Sequence, residues 1–241
     1  MIMTTERKDG FWKWVFPHYI WVPVIIAEVF NTIGYFGIAH LKGLKYHDLS
    51  LPLDHMIPAI PLFVIIYVLA YVQWFFGFLT CGRENRDYCY KWMSAEFYAK
   101  FLTFVIYLVL PTTILRPEIT GSDFASILLR GIYRIDGPVN LFPSVHCLES
   151  WFCFRSALKQ KKTPEFYKWI SFFATILVFL SVLFTRQHVI ADIFGAILVF
   201  ELGMLFARKV SMAPIYLKIE DKLSSIFTGR RGMDIGKNAY E

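Results

Sequence analysis

The chain has 241 residues, of which 56% are hydrophobic, 18% aromatic and only 18% charged. A water-soluble domain carries about a quarter charged residues, and a mean hydropathy of +0.46 means more apolar surface than one soluble core can bury, so these residues face lipid. Disorder, a coiled coil and a disulfide-rich secreted scaffold are excluded by the same arithmetic. The four cysteines, Cys81, Cys89, Cys147 and Cys153, form no Cys-x-x-Cys pair and read as small apolar residues, with no metal site among them.

A hydrocarbon core is crossed by about 20 mostly apolar residues in a helix. Five stretches meet that requirement: Tyr19 to Ala39, Ile57 to Thr80, Ala95 to Leu115, Trp169 to Thr185 and His188 to Ala207. The first is too long for a signal-peptide core and is followed by no small-residue cleavage site, which predicts that it stays in the mature protein. A sixth stretch, Ser144 to Leu158, is shorter and contains Glu149 and Arg155; short, partly polar spans occur where neighbouring helices shield them. Between the third and fourth stretches, Gly121-Ser122-Asp123 and Asp136-Gly137-Pro138 punctuate a structured outer connection. The expected fold is all-α, an integral membrane bundle of six transmembrane helices in a single domain over 1–241. Residues 1–18 form its N-terminal segment, 19–207 the bundle and 208–241 a tail. In that tail Ile215, Ile219, Leu223 and Ile226 recur at near-helical spacing beside Lys218 and Lys222, the pattern of an interfacial helix.

The net charge is +6 and the pI near 9.1. With six spans, 18 of the 25 lysines and arginines fall on the side of the two termini, six fall on the other side, and Lys100 lies within the third span. By the positive-inside tendency both termini are cytoplasmic. The basic excess is then a topology signal and requires no nucleic-acid partner. A five-span arrangement that omits Ser144 to Leu158 divides the charges 17 to 7, so charge alone does not separate the two. Short loops and the absence of an Asn-x-Ser/Thr sequence suit a bacterial inner membrane.

Ionisable groups beside apolar spans carry the functional information, since each costs about 2.5–3.5 kcal/mol at mid-bilayer. His188 and Asp192 stand four apart, on one helix face, where a carboxylate can hold one imidazole nitrogen and leave the other basic. Ser144 follows Pro143 and reads as an N-cap, which turns the first amides of the next helix into an anion site beside His146. Arg116 and Arg186 lie on the outer side, close to membrane ends, where guanidinium forks suit phosphoryl oxygens. Each feature has an ordinary structural explanation. Six spans bring Arg116, Ser144, His146, Arg186, His188 and Asp192 to one face, whereas five separate the two histidines across the membrane. That convergence favours six. Glu28, Glu149 and Glu201 are further intramembrane carboxylates, with Glu149 expected to pair with Arg155 or Lys100 or to touch the site.

At these residues the chain resembles the type-2 phosphatidic acid phosphatase superfamily of membrane lipid phosphatases and phosphotransferases. Its motifs are Lys-x6-Arg-Pro, Pro-Ser-x-His and Ser-Arg-x5-His-x3-Asp. Arg116-Pro117 matches the end of the first, Pro143-Ser144-Val145-His146 the whole of the second, and His188-x3-Asp192 the end of the third. Two departures stand out: Val109 replaces the first motif's lysine, Lys100 lying too far back and near the opposite face, and Val182 replaces the third motif's arginine. Such erosion resembles the phosphotransferases akin to sphingomyelin synthase. The resemblance implies that His188 attacks phosphorus, Asp192 orients it, and His146 protonates the leaving alcohol. Arg116 and Ser144 would hold the phosphoryl oxygens, with Arg186 or Arg134 standing in for the lysine. It further implies a lipid phosphate substrate among membrane lipids, no metal and no cofactor. The expected activity is metal-independent hydrolysis of a lipid phosphate or pyrophosphate, with transfer of a phospho-headgroup to a lipid alcohol as the alternative. A non-enzymatic transporter or lipid-binding protein is the rival from another class.

Overall fold

The computed structural model describes residues 18–228. Among them are nine α-helices and no strand: α1 (Trp21–Ala39), α2 (Pro52–Met56), α3 (Val64–Glu84), α4 (Arg86–Val109), α5 (Phe124–Ile135), α6 (Val145–Ala157), α7 (Glu165–Phe184), α8 (Ile190–Lys209) and α9 (Ala213–Thr228). Five of these, α1, α3, α4, α7 and α8, are long and apolar enough to cross a membrane. The basic residues expected at 1–17 and from 229 onward lie outside the described residues.

Helix boundaries depart from the hydropathy windows for local reasons. α3 begins at Val64 rather than near Ile57, because Pro58 and Pro61 hold the preceding residues in extended and 3-10 conformations. α4 begins nine residues before Ala95. The Asn85 side chain caps it by accepting the Tyr88 amide at 2.8 Å, and its polar opening turns carry Arg86, Asp87 and Lys91, which no apolar window includes. Pro111, unable to donate a backbone hydrogen bond, follows directly after its end. The outer connection is also more ordered than its turn residues suggest. Asp123 accepts the Ser126 amide at 3.1 Å and opens the amphipathic helix α5, whose Ala125, Ser126 and Leu129 are buried while Phe124, Ile127 and Ile135 are exposed.

α6 is the exception among the expected spans. Its 13 residues extend about 20 Å against about 30 Å of hydrocarbon, so it does not qualify as a span by length. It is nonetheless interior: Cys147, Leu148, Phe152 and Cys153 are fully buried, and α6 packs on α3, α7 and α8. The loop after it reaches the end of α3, where the Lys161 and Lys162 amides both donate to Glu84, each at 2.9 Å. Thus α6 runs alongside α3, and both start at the end of the bundle where α1, α4 and α7 finish and α8 begins. At the other end His18 and Glu220 meet at 3.1 Å, so the described chain enters and leaves the bundle together. α9 packs there on α4 and α1, with Tyr216 buried and Ile226 exposed.

Close helix approach depends on small residues, as it must where lipid tails compete for apolar contact. A Cβ on Gly203 of α8 would lie 2.5 Å from the Ala95 carbonyl oxygen and 2.8 Å from the Ala99 nitrogen of α4. Several charged groups inside the bundle are paired. Arg155 grips Glu201 through Nε at 2.6 Å and Nη2 at 3.0 Å. Lys100, fully buried in the middle of α4 rather than near its far end, contacts Glu149 at 2.5 Å, Glu96 at 2.9 Å and Glu28 at 3.1 Å. Replacing Gly203 with Ala therefore lowers thermal stability in detergent, by about 1–3 kcal/mol of overpacking. The same change at Gly131, where an added Cβ meets nothing within 4 Å, leaves the melting temperature equal or higher; equal loss at both sites contradicts the packing argument.

Candidate functional site

His188 lies in the turn between α7 and α8. Its backbone amide and that of Gln187 both donate to the Val182 carbonyl, at 3.1 and 3.0 Å, while Arg186 holds the turn with a left-handed φ of 52°. Asp192, one helical turn into α8, is fully buried. Its Oδ2 lies 3.0 Å from His188 Nδ1 and accepts the Val189 amide at 3.0 Å. A carboxylate oxygen facing Nδ1 selects the tautomer with the proton there, so Nε2 carries the lone pair. No hydrogen bond to Nε2 is found among the described residues.

His146 approaches from α6. Ser144 caps that helix, its Oγ accepting the Cys147 amide at 3.3 Å, and the Ser144 amide donates to the Asp192 carbonyl at 3.2 Å. One backbone hydrogen bond thus ties the start of α6 to the start of α8. The His146 ring stacks on Tyr67 at 4.0 Å and meets Trp74 and Tyr71 edge-on at 5.0 and 5.8 Å. Its Nε2 is buried without a protein partner.

Both histidines line a cavity of about 260 Å³. Glu28 and Tyr35 of α1, Tyr67 and Trp74 of α3 and Tyr107 of α4 form much of the remaining wall. From the start of α3 to Trp74 is ten residues, so the cavity reaches about 15 Å into the bundle. α1 packs on α4 rather than on α3, and the cavity lies in the gap between α1 and α3. At its margin Phe36, Tyr71 and Ile135 are 46%, 55% and 74% exposed, an apolar border open sideways.

The arginines are placed differently from one another. Arg116 is next to the site but engaged: Nη1 donates to the Asp136 carbonyl, Nη2 to the Gly137 carbonyl and to Gln187 Oε1, and the guanidinium lies over the Tyr133 ring at 4.7 Å. Burial lowers its pKa from the ordinary arginine value, with Asp136 opposing the shift. Its Nε and Gln187 Nε2 are buried without partners beside the His188 turn. Arg186 turns away, donating to the Asp54 and Ile57 carbonyls, and Arg134 is exposed on α5. None of Arg116, Ser144, Arg186 and Arg134 lines the cavity. Glu149 is taken by Lys100 and not by Arg155.

Several participants escaped sequence reasoning. Asp54 of α2 is buried and accepts the Ile190 amide at 2.8 Å, capping α8 from 136 residues away; nothing local marks it. Asp136, read as a turn residue, instead receives the hydroxyls of Tyr35 at 2.5 Å and Tyr67 at 3.3 Å. Tyr67, Tyr71 and Trp74 stand at i, i+4 and i+7 on one face of α3, a legible stripe in an apolar run where it passes for packing. Among the described residues no group of three or more His, Cys, Asp and Glu is arranged to hold a metal ion.

No family model, no curated protein and no solved structure matches the chain.

Selective ¹⁵N-histidine NMR on the full chain will show the neutral His188 ring as the Nδ1–H tautomer, and the Asp192→Ala change will mix the tautomers. A neutral ring with its proton on Nε2 in the unmodified protein contradicts the assigned roles of the two nitrogens.

Proposed function

We propose that the chain is a membrane-embedded enzyme of phosphoryl-group chemistry, metal-independent and acting on a lipid phosphate or pyrophosphate through a phosphohistidine. A single observation carries this reading: a histidine whose Nδ1 is fixed by a buried aspartate shares a cavity with a second histidine that lacks a partner at Nε2. The match to Pro-Ser-x-His and His-x3-Asp, and so to the type-2 phosphatidic acid phosphatases, supports it. The reading includes six membrane crossings, α6 being the short interior one, an outward-facing site and cytoplasmic termini, as in a bacterial inner membrane.

In the first step the Nε2 lone pair of His188 attacks phosphorus. The bond from phosphorus to the lipid alcohol breaks, and the leaving oxygen takes a proton from His146. In the second, His146 takes a proton from water as its oxygen attacks, the P–N bond breaks and its electron pair returns to Nε2. Asp192 offsets the charge on His188 while it carries the phosphoryl group. The amide end of α6 stabilises the equatorial oxygens, so positioning and electrostatics carry most of the rate. Transfer to a lipid alcohol instead of water is the second reading. The sideways opening between α1 and α3 favours it, because an acceptor with acyl chains can reach His188 without leaving the bilayer.

Purified protein in EDTA, given lipid phosphates with and without diacylglycerol, releases phosphate or forms a new phospholipid. His188→Ala lowers turnover about 10³-fold or more and His146→Ala about 10²–10⁴-fold, with thermal stability preserved. Full activity in the His188→Ala protein overturns the reading, and transport of intact lipid with no cleavage product moves it to the non-enzymatic class.

A further inference from the structure

The connection between α1 and α3 carries the short helix α2, which is placed by polar contacts rather than by apolar burial. Leu51, Leu53 and Met56 are exposed, whereas Asp54 among them is only 1% exposed, the reverse of the usual partition. Asp54 uses both oxygens. Oδ2 accepts the Leu51 amide at 2.8 Å, which shapes α2 itself. Oδ1 accepts the Ile190 amide at 2.8 Å, which serves α8 instead, because the first amide of a helix has no partner within it. Two carboxylates thus divide the opening of α8. Asp192 takes the Val189 amide and His188 Nδ1, and Asp54 takes the amide that follows.

The same connection grips the chain on the other side of His188. The Ile60 amide donates to the Phe184 carbonyl at 2.8 Å, the Phe63 and Phe184 rings lie 4.5 Å apart, and Arg186 Nη1 donates to the Asp54 carbonyl. Arg186 has a left-handed φ of 52°, which costs a residue other than glycine and persists where the surroundings hold it. Contacts at 184, 186 and 190 therefore bracket His188. Farther back, the His47 amide donates to the Pro111 carbonyl at 2.9 Å and the Thr113 amide to the His47 carbonyl at 3.0 Å. Thr112, between those partners, accepts the Leu141 and Phe142 amides through Oγ1 at 3.1 and 2.9 Å, just before Ser144. One connection so reaches both turns that carry the histidines.

We propose that Asp54 is a positioning residue for His188. By capping α8 at Ile190 it fixes the first turn, on which Asp192 holds the imidazole, and so sets the direction of Nε2. Asp54 does not line the cavity and acts through the Ile190 amide. The proposal rests on the reading of His188 as the nucleophile.

The test uses the full chain in nanodiscs. Asp54→Ala deletes the acceptor, and Ile190→Pro deletes the donor while leaving Asp54 and α2 as they are. Proline is accommodated at the first position of a helix, and Val189 before it is already extended, with φ −109° and ψ 167°. Asn85→Ala removes a cap of the same kind from α4 at the opposite end of the bundle. Turnover of lipid phosphate is measured as kcat and KM, and ¹⁵N-histidine NMR reports the His188 ring. Asp54→Ala and Ile190→Pro each lower kcat about 10²-fold with KM nearly unchanged, and each replaces the single Nδ1–H tautomer of the neutral ring with a mixture. The double variant loses no more than either single one, since both remove the same bond. Asp54→Asn, whose Oδ1 still accepts the Ile190 amide, recovers most of the rate, and Asn85→Ala leaves kcat and tautomer as they were. Unchanged kcat and tautomer in Ile190→Pro overturn the proposal, as do losses that multiply in the double variant or an equal loss in Asn85→Ala. An unmodified protein that turns over no lipid phosphate refutes the phosphohistidine, while the His188 tautomer still decides for or against Asp54. His188-dependent turnover at full rate in Asp54→Ala refutes the positioning role and leaves the phosphohistidine reading standing.

Discussion

The contact between His188 Nδ1 and Asp192 Oδ2 is a small feature on which the rest of the site depends. It needs a carboxylate in a place where hydration is poor, and the surrounding fold compensates Oδ2 while Oδ1 stays buried without a partner. The Val189 amide donates to the same oxygen, Asp54 takes the next free amide of α8, and the Asp192 carbonyl receives the Ser144 amide. Each hydrogen bond to an ionised group contributes about 1.5–3 kcal/mol, and leaving one unmade inside a protein costs at least as much. Together they lock the first turns of α6 and α8 to each other. This fixes where His146 stands relative to His188, although the two are far apart in sequence.

The second constraint is electrostatic. A lone buried lysine with three carboxylates is a poor source of stability, because taking each charge out of water costs several kcal/mol and the attraction only partly returns it. Glu96 has both oxygens without hydrogen-bond partners and Glu149 has one, so the cluster is not an optimised network. Its position gives it a purpose. Lys100 ties α1, α4 and α6 together, and Glu28 of the same cluster also lines the cavity. At the other end of the bundle Arg155 and Glu201 form a one-to-one ion pair, to which Trp151 adds a hydrogen bond on Glu201.

The fold was readable to the extent that hydropathy and a few cap residues determine it. The all-helical class and the five long helices come from apolar runs of bilayer length. The pairing of His188 with Asp192 follows from four-residue spacing, and the cap of α6 from Ser144 after Pro143. What stayed hidden is of two kinds. Polar turns of long helices, such as Arg86 to Lys91, and the amphipathic α5 lack a sustained apolar run, though Asp123 followed by spaced apolar residues was a usable signal. Contacts across the fold had no sequence signature, as with Asp54 capping α8 and Asp136 receiving two tyrosine hydroxyls, whereas Lys100 was one of the two partners the sequence offered Glu149. The arginines illustrate the difference best. A guanidinium near a membrane end reads as a phosphate ligand, and only the partners around it reveal that Arg186 serves the backbone of the α2 region while Arg116 stays beside the site.

The central claim is that Nε2 of His188 forms a bond to phosphorus, and chemical trapping tests it most directly. The full chain is incubated briefly with a ³²P-labelled lipid substrate, quenched in base and digested, and the labelled peptide is sequenced by mass spectrometry. The account predicts an acid-labile, base-stable label on His188 that disappears in the His188→Ala protein and accumulates when water or acceptor lipid is limiting. A label on another residue, or product formed at full rate with no phosphorylated histidine at any time, contradicts it.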